Sequence, residues 1–140
     1  MEWQEPKTDW LPEDRFNITD YNRIKNNLIY IWEQAALIWG DFQIEDMGRD
    51  LTPEDADNAI RWDVDVFNAF EINVDIINEH MLSQDYGNRQ SFYDNGPFIK
   101  WPELNRIEYA ILRMKRIVDG RKASLVRLSF RFGAPNGLKL

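Results

Sequence analysis

Three ten-residue stretches of this chain share one pattern, and that pattern narrows the folds open to it. Residues 22–31, 68–77 and 105–114 each read Asn, any, apolar, charged, any, any, apolar, any, any, apolar. The apolar positions fall three and four apart, so each stretch is one stripe of an amphipathic helix. Asn22, Asn68 and Asn105 stand two residues ahead of the first apolar position, near each helix start, where an amide can hydrogen-bond a neighbouring backbone. A chain that repeats a helical unit in this way is expected to pack it as a pseudo-symmetric bundle.

The apolar spacing extends each stretch into an element. Tyr21, Ile24, Leu28, Ile31, Ala35 and Ile38 predict a helix over 19–39, with Thr19 as its N-cap, Asp20 in its first turn and Gly40 as its stop. Residues 40–51 form an acidic linker. Thr52 is then expected to cap a short helix, with Pro53 at its first position and Asp55 in the capping-box place. Val66, Phe67, Phe70, Val74, Ile77 and Met81 mark a helix over 63–82. A turn-rich stretch over 83–97 follows, with Asp94-Asn95-Gly96-Pro97 as its breaker. Leu104, Ile107, Ile111, Met114 and Ile117 mark a last helix over 101–119, closed by Gly120.

The two ends read differently. Residues 1–18 form an extended arm, interrupted by Pro6 and Pro12, with Trp3, Trp10 and Phe16 as aromatic anchors. Past Ala123, the residues Leu128, Phe130 and Phe132 alternate with Arg127, Ser129 and Arg131, a period of two that predicts a strand. No second strand in the chain pairs with it, so its backbone groups are expected to meet an irregular segment or another chain. The expected fold is mainly α: a small bundle of three longer helices and a short one. It carries an arm over 1–18, a helical domain over 19–120 and a basic strand tail over 121–140. Arm and tail are the parts expected to be removable without unfolding the bundle. They also supply the candidate interface residues Trp3, Trp10, Phe16, Arg127, Leu128, Phe130, Arg131 and Phe132.

Charge separates the same parts. Residues 106–140 hold nine basic and two acidic residues, a net +7, whereas 1–105 hold eight basic and 22 acidic, a net −14. A chain this bipolar can fold its tail back on its own body or bind tail to body between copies. The acidic body argues against nucleic acid as a partner. No apolar run approaches the roughly 20 residues a membrane span needs. The opening MEWQEPKTDW is polar and acidic and unlike a signal peptide, so synthesis and folding are expected in the cytoplasm unless another machine exports the chain.

Few residues suggest chemistry. There is no Cys, which excludes thiol nucleophiles, disulfides and cysteine-ligated zinc, and His80 is the single histidine. The acids Asp41, Glu45, Asp46, Asp50, Glu54, Asp55 and Asp57 lack the Asp/Asn-then-Gly alternation of a calcium loop. No phosphate-binding glycine motif is present. The expectation is a non-enzymatic protein without metal or cofactor. Trp3, Trp10, Trp62, Tyr86, Phe92, Tyr93 and Trp101 could stack on sugars, although core packing and interface anchoring are commoner uses.

The strings Lys7-Thr8-Asp9-Trp10, Phe16-Asn17-Ile18-Thr19-Asp20-Tyr21-Asn22-Arg23-Ile24-Lys25-Asn26-Asn27-Leu28, Phe67-Asn68-Ala69-Phe70-Glu71, Tyr93-Asp94-Asn95-Gly96-Pro97-Phe98, Leu104-Asn105-Arg106-Ile107-Glu108 and Arg127-Leu128-Ser129-Phe130-Arg131-Phe132-Gly133 span nearly the whole chain. Together they resemble small virion structural proteins of tailed phages and prophages of Gram-positive bacteria. The resemblance implies a tail or tail-tip (baseplate) subunit, mostly helical and present in several copies. It would be assembled in the host cytoplasm, with itself and other virion proteins as partners. A host-surface glycan-binding module is the alternative, with cell-wall glycan as the ligand. The resemblance brings no catalytic, metal or cofactor residues with it.

Overall fold

The computed structural model describes residues 2–57, 62, 64–92 and 99–131; the side chains of 56–57 and 129–131 are not among those described. The chain is mainly helical. Its elements are α1 (Ile18–Trp39), α2 (Pro53–Asp57), α3 (Val64–His80) and α4 (Trp101–Arg131).

Local chemistry sets most of the boundaries. The cap of α1 is Asn17, two residues before the expected Thr19. Its Oδ1 accepts the Asp20 N–H at 3.2 Å and the Asp20 carboxylate accepts the Asn17 N–H at 3.0 Å. Asn17 and Asp20 have the spacing of a reciprocal capping box, and Thr19 has no such partner three residues on. Gly40, at φ +107°, ends α1 and donates its N–H to Ala36 O at 3.0 Å. Thr52 and Asp55 open α2 as expected, the Asp55 carboxylate taking both the N–H and the hydroxyl of Thr52.

The expected tail strand is corrected. α4 runs on through Gly120 and the basic segment to Arg131, and no strand forms among the described residues. Phe132 lies outside them. Gly120 stands in open space and costs about 1 kcal/mol relative to Ala. A helix already nucleated passes such a position when good helix formers follow and no Pro intervenes. The alternation of Leu128, Phe130 and Phe132 competes with a longer periodicity: Leu104, Ile107, Ile111, Met114, Val118, Leu125 and Leu128 follow a three-four spacing interrupted only at Arg121. The longer pattern prevails because it continues a helix that the bundle already holds.

The three long helices run in the same direction. Arg23 of α1 meets Glu108 of α4, and one heptad further on Lys115 lies over Tyr30. Tyr21 packs on Phe70 of α3. At the other end of those two helices Phe42 accepts the Trp32 indole N–H on its carbonyl and stacks on His80 at 4.2 Å. Parallel neighbours need long return connections, and the chain supplies them as extended segments laid in the grooves. Residues 2–10 run back between α4 and α1, 42–51 between α1 and α3, and 84–92 along α3 towards α4. The core lies inside this ring, with Ile24, Leu28, Ile31, Phe70, Ile77, Ile107, Ile111 and Met114 fully buried.

An extended segment buried in a groove must satisfy its own N–H and C=O groups. Asparagine side chains do this here. Asn27 accepts the Gln4 N–H at 2.9 Å and donates to the Gln4 carbonyl at 2.8 Å. Asn105 holds Trp10 in the same way at 2.8 and 3.1 Å. Asn73 holds Glu45, Asn22 holds Leu51, Asn68 holds Phe92 and Asn78 holds Gln84, each through both backbone groups of one residue. An amide presents one donor and one acceptor side by side, as a peptide group does, so each Asn acts as one rung of a sheet ladder. The Asn that recurs in the sequence repeat is therefore the clamp that fixes a return segment against its helix.

Candidate functional site

The charged residue at the fourth place of each repeat is also buried: Lys25, Glu71 and Glu108 are 2%, 1% and 0% exposed. Two of the three take their partner from the next helix. Arg23 of α1 forks onto Glu108 of α4 at 2.6 and 2.9 Å, and Arg106 of α4 pairs with Glu71 of α3. In both cases the Arg directly follows the repeat Asn. The third helix carries Ala69 there, and Lys25 is paired instead with Asp50 of the return segment, at 2.5 Å. The ionic network thus repeats with the helices and is completed from a loop where the repeat breaks.

The two buried glutamates differ. Glu108 accepts the Lys7 N–H at 3.0 Å, the indole N–H of Trp10 and both arms of the Arg23 guanidinium. Burial alone would lower the pKa of Arg23, but Glu108 and Asp20 outweigh it and raise it. Glu71 receives Arg106 and the Gln90 N–H on Oε2 only, and its Oε1 has no hydrogen-bond partner. Burial raises the Glu71 pKa despite Arg106. A carboxyl whose folded pKa lies above its unfolded value takes up its proton in the folded state first. Stability tied to Glu71 therefore falls as the pH rises from the ordinary carboxylate range through that raised value. Replacing Glu71 by Gln is expected to flatten this limb, so that urea midpoints of wild type and variant diverge most in favour of wild type at the acid end. A constant difference from the carboxylate range to neutrality would contradict it.

The arm's candidate interface residues serve their own chain. Trp10 is 2% exposed, stacks against Phe16 at 6.2 Å and lies under the Lys7 ammonium. Phe16 packs edge-on to Trp62 and Phe67. Trp3 is half-buried against Tyr30, with the Lys115 ammonium over its ring. Arg127 and Leu128 instead lie on the exposed end of α4, Leu128 at 45% exposure. The side chains of Phe130 and Arg131, and all of Phe132, lie outside the described residues.

That end is an overhang. The offset of 85 residues between Arg23 and Glu108 sets Trp39, the last residue of α1, level with Ser124. The offset of 35 between Glu71 and Arg106 sets the end of α3 level with Lys115. The deepest residue towards the end of α4 is Val118, at 0% exposure, and beyond it no described side chain of the helix is buried. Val126 and Leu128 are exposed there, flanked by Arg121, Lys122 and Arg127.

At the opposite end of the bundle, Trp101 is 41% exposed on the wall of a cleft of about 520 Å³, which Pro12, Asp14, Arg15, Phe16, Ile99, Lys100 and Leu104 complete. Of the other aromatic residues read as sugar platforms, Tyr86 is half-buried beneath Arg113, Phe92 packs on Phe67, and Trp62 packs on Phe16 and Tyr21. Tyr93 lies outside the described residues. Three of the linker acids have structural partners: Asp46 takes the Gly48 N–H, Asp50 takes Lys25, and Asp55 takes Arg49. Among the described residues no group of His, Asp and Glu is placed to hold a metal ion, and no helix is long and apolar enough to cross a membrane.

Comparison with protein-family models, with curated proteins and with solved structures finds no match to this chain.

Proposed function

We propose that this chain is a structural subunit that works by protein–protein contact, a multi-copy component of a phage virion of the tail or tail-tip (baseplate) type. The observation that carries the assembly reading is the overhang of α4. A helix of 31 residues is about 46 Å long, against about 26 Å for the 17 residues of α3, so its last turns leave the bundle. They take the core stripe with them, through Leu125 to Leu128, flanked by basic side chains. An apolar helical stripe continued past its own core is suited to burial against another protein. The buried ionisable residues support a structural role, because their charges are spent on pairing helices and return segments. The placement in a virion rests on the resemblance of the sequence strings given above.

Truncation after Ser124 tests this reading. The chain lacking 125–140 should unfold within about 1 kcal/mol of the full chain, because no described side chain in 125–128 is buried. It should also fail to enter particles, as seen by cryo-electron microscopy or by composition of purified virions. Incorporation at the full-length level would sink the proposal.

A second reading is a receptor-recognition module for host-surface glycan. The specific observation in its favour is Trp101 on the wall of its cleft, since an exposed indole beside polar side chains is a stacking platform for a sugar ring. Calorimetry against host cell wall should then show binding that Trp101→Ala removes; no heat from wild type would eliminate this reading.

A further inference from the structure

We propose that the basic end of α4 docks on the acidic end of the bundle of a second copy of this chain, so that two copies pair end to end. The inference rests on the assembly reading and names its partner.

The two surfaces lie at the same end of one molecule. Parallel helices gather the C-terminal ends of α1 and α3 where α4 emerges. There the bundle exposes Leu37 at 60% and Leu82 at 54%. Asp41, Glu79 and Asp85 are exposed around them. Asp41 adjoins Phe42, which stacks on His80, and Asp85 follows Gln84, which Asn78 clamps, so these acids surround the end of α3. The overhang offers the complement: apolar Val126 and Leu128 beside Arg121, Lys122 and Arg127.

The tip of the overhang stands clear of the end of α3 within one chain. The end of α3 is level with Lys115, and Arg127 stands twelve residues further along a continuous helix, about 18 Å up the axis. None of the ion pairs among the described residues involves Arg121, Lys122 or Arg127. Bringing Arg127 back onto the end of α3 would require α4 to break. In a second copy turned end to end, each overhang passes along the other's bundle end, apolar on apolar and basic on acidic. Both faces sit on one patch, so the contact is self-complementary and closes after two copies. Two basic overhangs lying on each other would repel, which disfavours pairing through α4 alone.

The test uses the full chain in sedimentation equilibrium over a concentration series. A dimer that weakens as salt rises is expected. Arg121→Glu/Lys122→Glu/Arg127→Glu should raise its Kd by at least roughly tenfold without moving the unfolding midpoint measured at a dilution where both chains are monomeric, since no side chain changed is buried. Adding Asp41→Lys/Glu79→Lys/Asp85→Lys to that same chain restores opposite charges across the contact and should bring the Kd back. A wild type that remains monomeric, a charge-reversed chain that dimerises like wild type, or a second set that fails to restore pairing would each overturn the inference. If wild type is monomeric yet charge reversal blocks entry into particles, the partner is a different acidic protein; the second-copy inference then fails while the assembly reading stands. If charge reversal and truncation both leave particle entry unchanged, both readings fall.

Discussion

Replacing Glu108 by Gln is expected to destabilise the folded chain by about 3–5 kcal/mol, the cost of breaking a buried pair by removing one partner. Four donors converge on this fully buried carboxylate: the Lys7 N–H, the Trp10 indole N–H, and Nε and Nη2 of Arg23. Gln keeps one acceptor oxygen and turns an amino group towards donors, so at least one N–H is left facing another. Arg23 also loses its buried counter-charge and keeps only Asp20, at 2.9 Å. The surviving contact should bring the loss towards the lower half of that range. Urea unfolding followed by far-ultraviolet circular dichroism measures it. Removing both partners, as Glu108→Gln with Arg23→Met, should cost less than the two single changes added, because no unpaired charge then remains buried. An additive double variant would mean that the two side chains do not share the fork seen here.

How much of this was legible in the sequence depended on the range of the interaction. The stripes of three helices were readable because burial repeats every three to four residues, and their bounds fell within about two residues except where α4 runs on. The Thr52–Asp55 box was readable because its partners are three residues apart. The repeated Asn was visible, but its partners were not: Asn105 holds Trp10 and Asn22 holds Leu51, and no local rule joins those positions. The charged place of the repeat carries a signal of its own. Lys25, Glu71 and Glu108 recur in register directly after the first apolar residue, at the margin of a buried stripe, where a solvated charge has no reason to recur. The tail was misread because Leu128 and Phe130 satisfy period two locally. The fact that decides for helix lies far upstream, in the stripe that starts at Leu104. The contacts of the arm were hidden for a related reason. Isolated aromatic residues among prolines resemble a loose extension until the groove between α1 and α4 is known.

That groove gives the second large effect. Trp10→Ala is expected to cost about 3–5 kcal/mol, the range for emptying a buried aromatic site. Trp10 is 2% exposed and stacks on Phe16, which reaches Trp62 and Phe67 in turn, so a cavity there undermines the contacts of the arm with Trp62 and α3 together. The indole N–H is also one of the four donors to Glu108. Trp10→Phe separates the two contributions. It keeps most of the ring and leaves Glu108 three donors, so its loss should be nearer about 1–3 kcal/mol, that of one hydrogen bond to a buried charge. Both variants should lower the urea midpoint of an isolated monomer, and the ordering Ala below Phe below wild type should hold at any protein concentration. An anchor that contacts only a neighbouring chain would behave otherwise: Trp10→Ala would leave the monomer's midpoint unchanged and weaken assembly alone. The hydrogen bonds of Trp10 to Asn105 and Glu108 place it with the core of its own chain, so removing the arm should unfold the bundle, whereas removing the end of α4 should not.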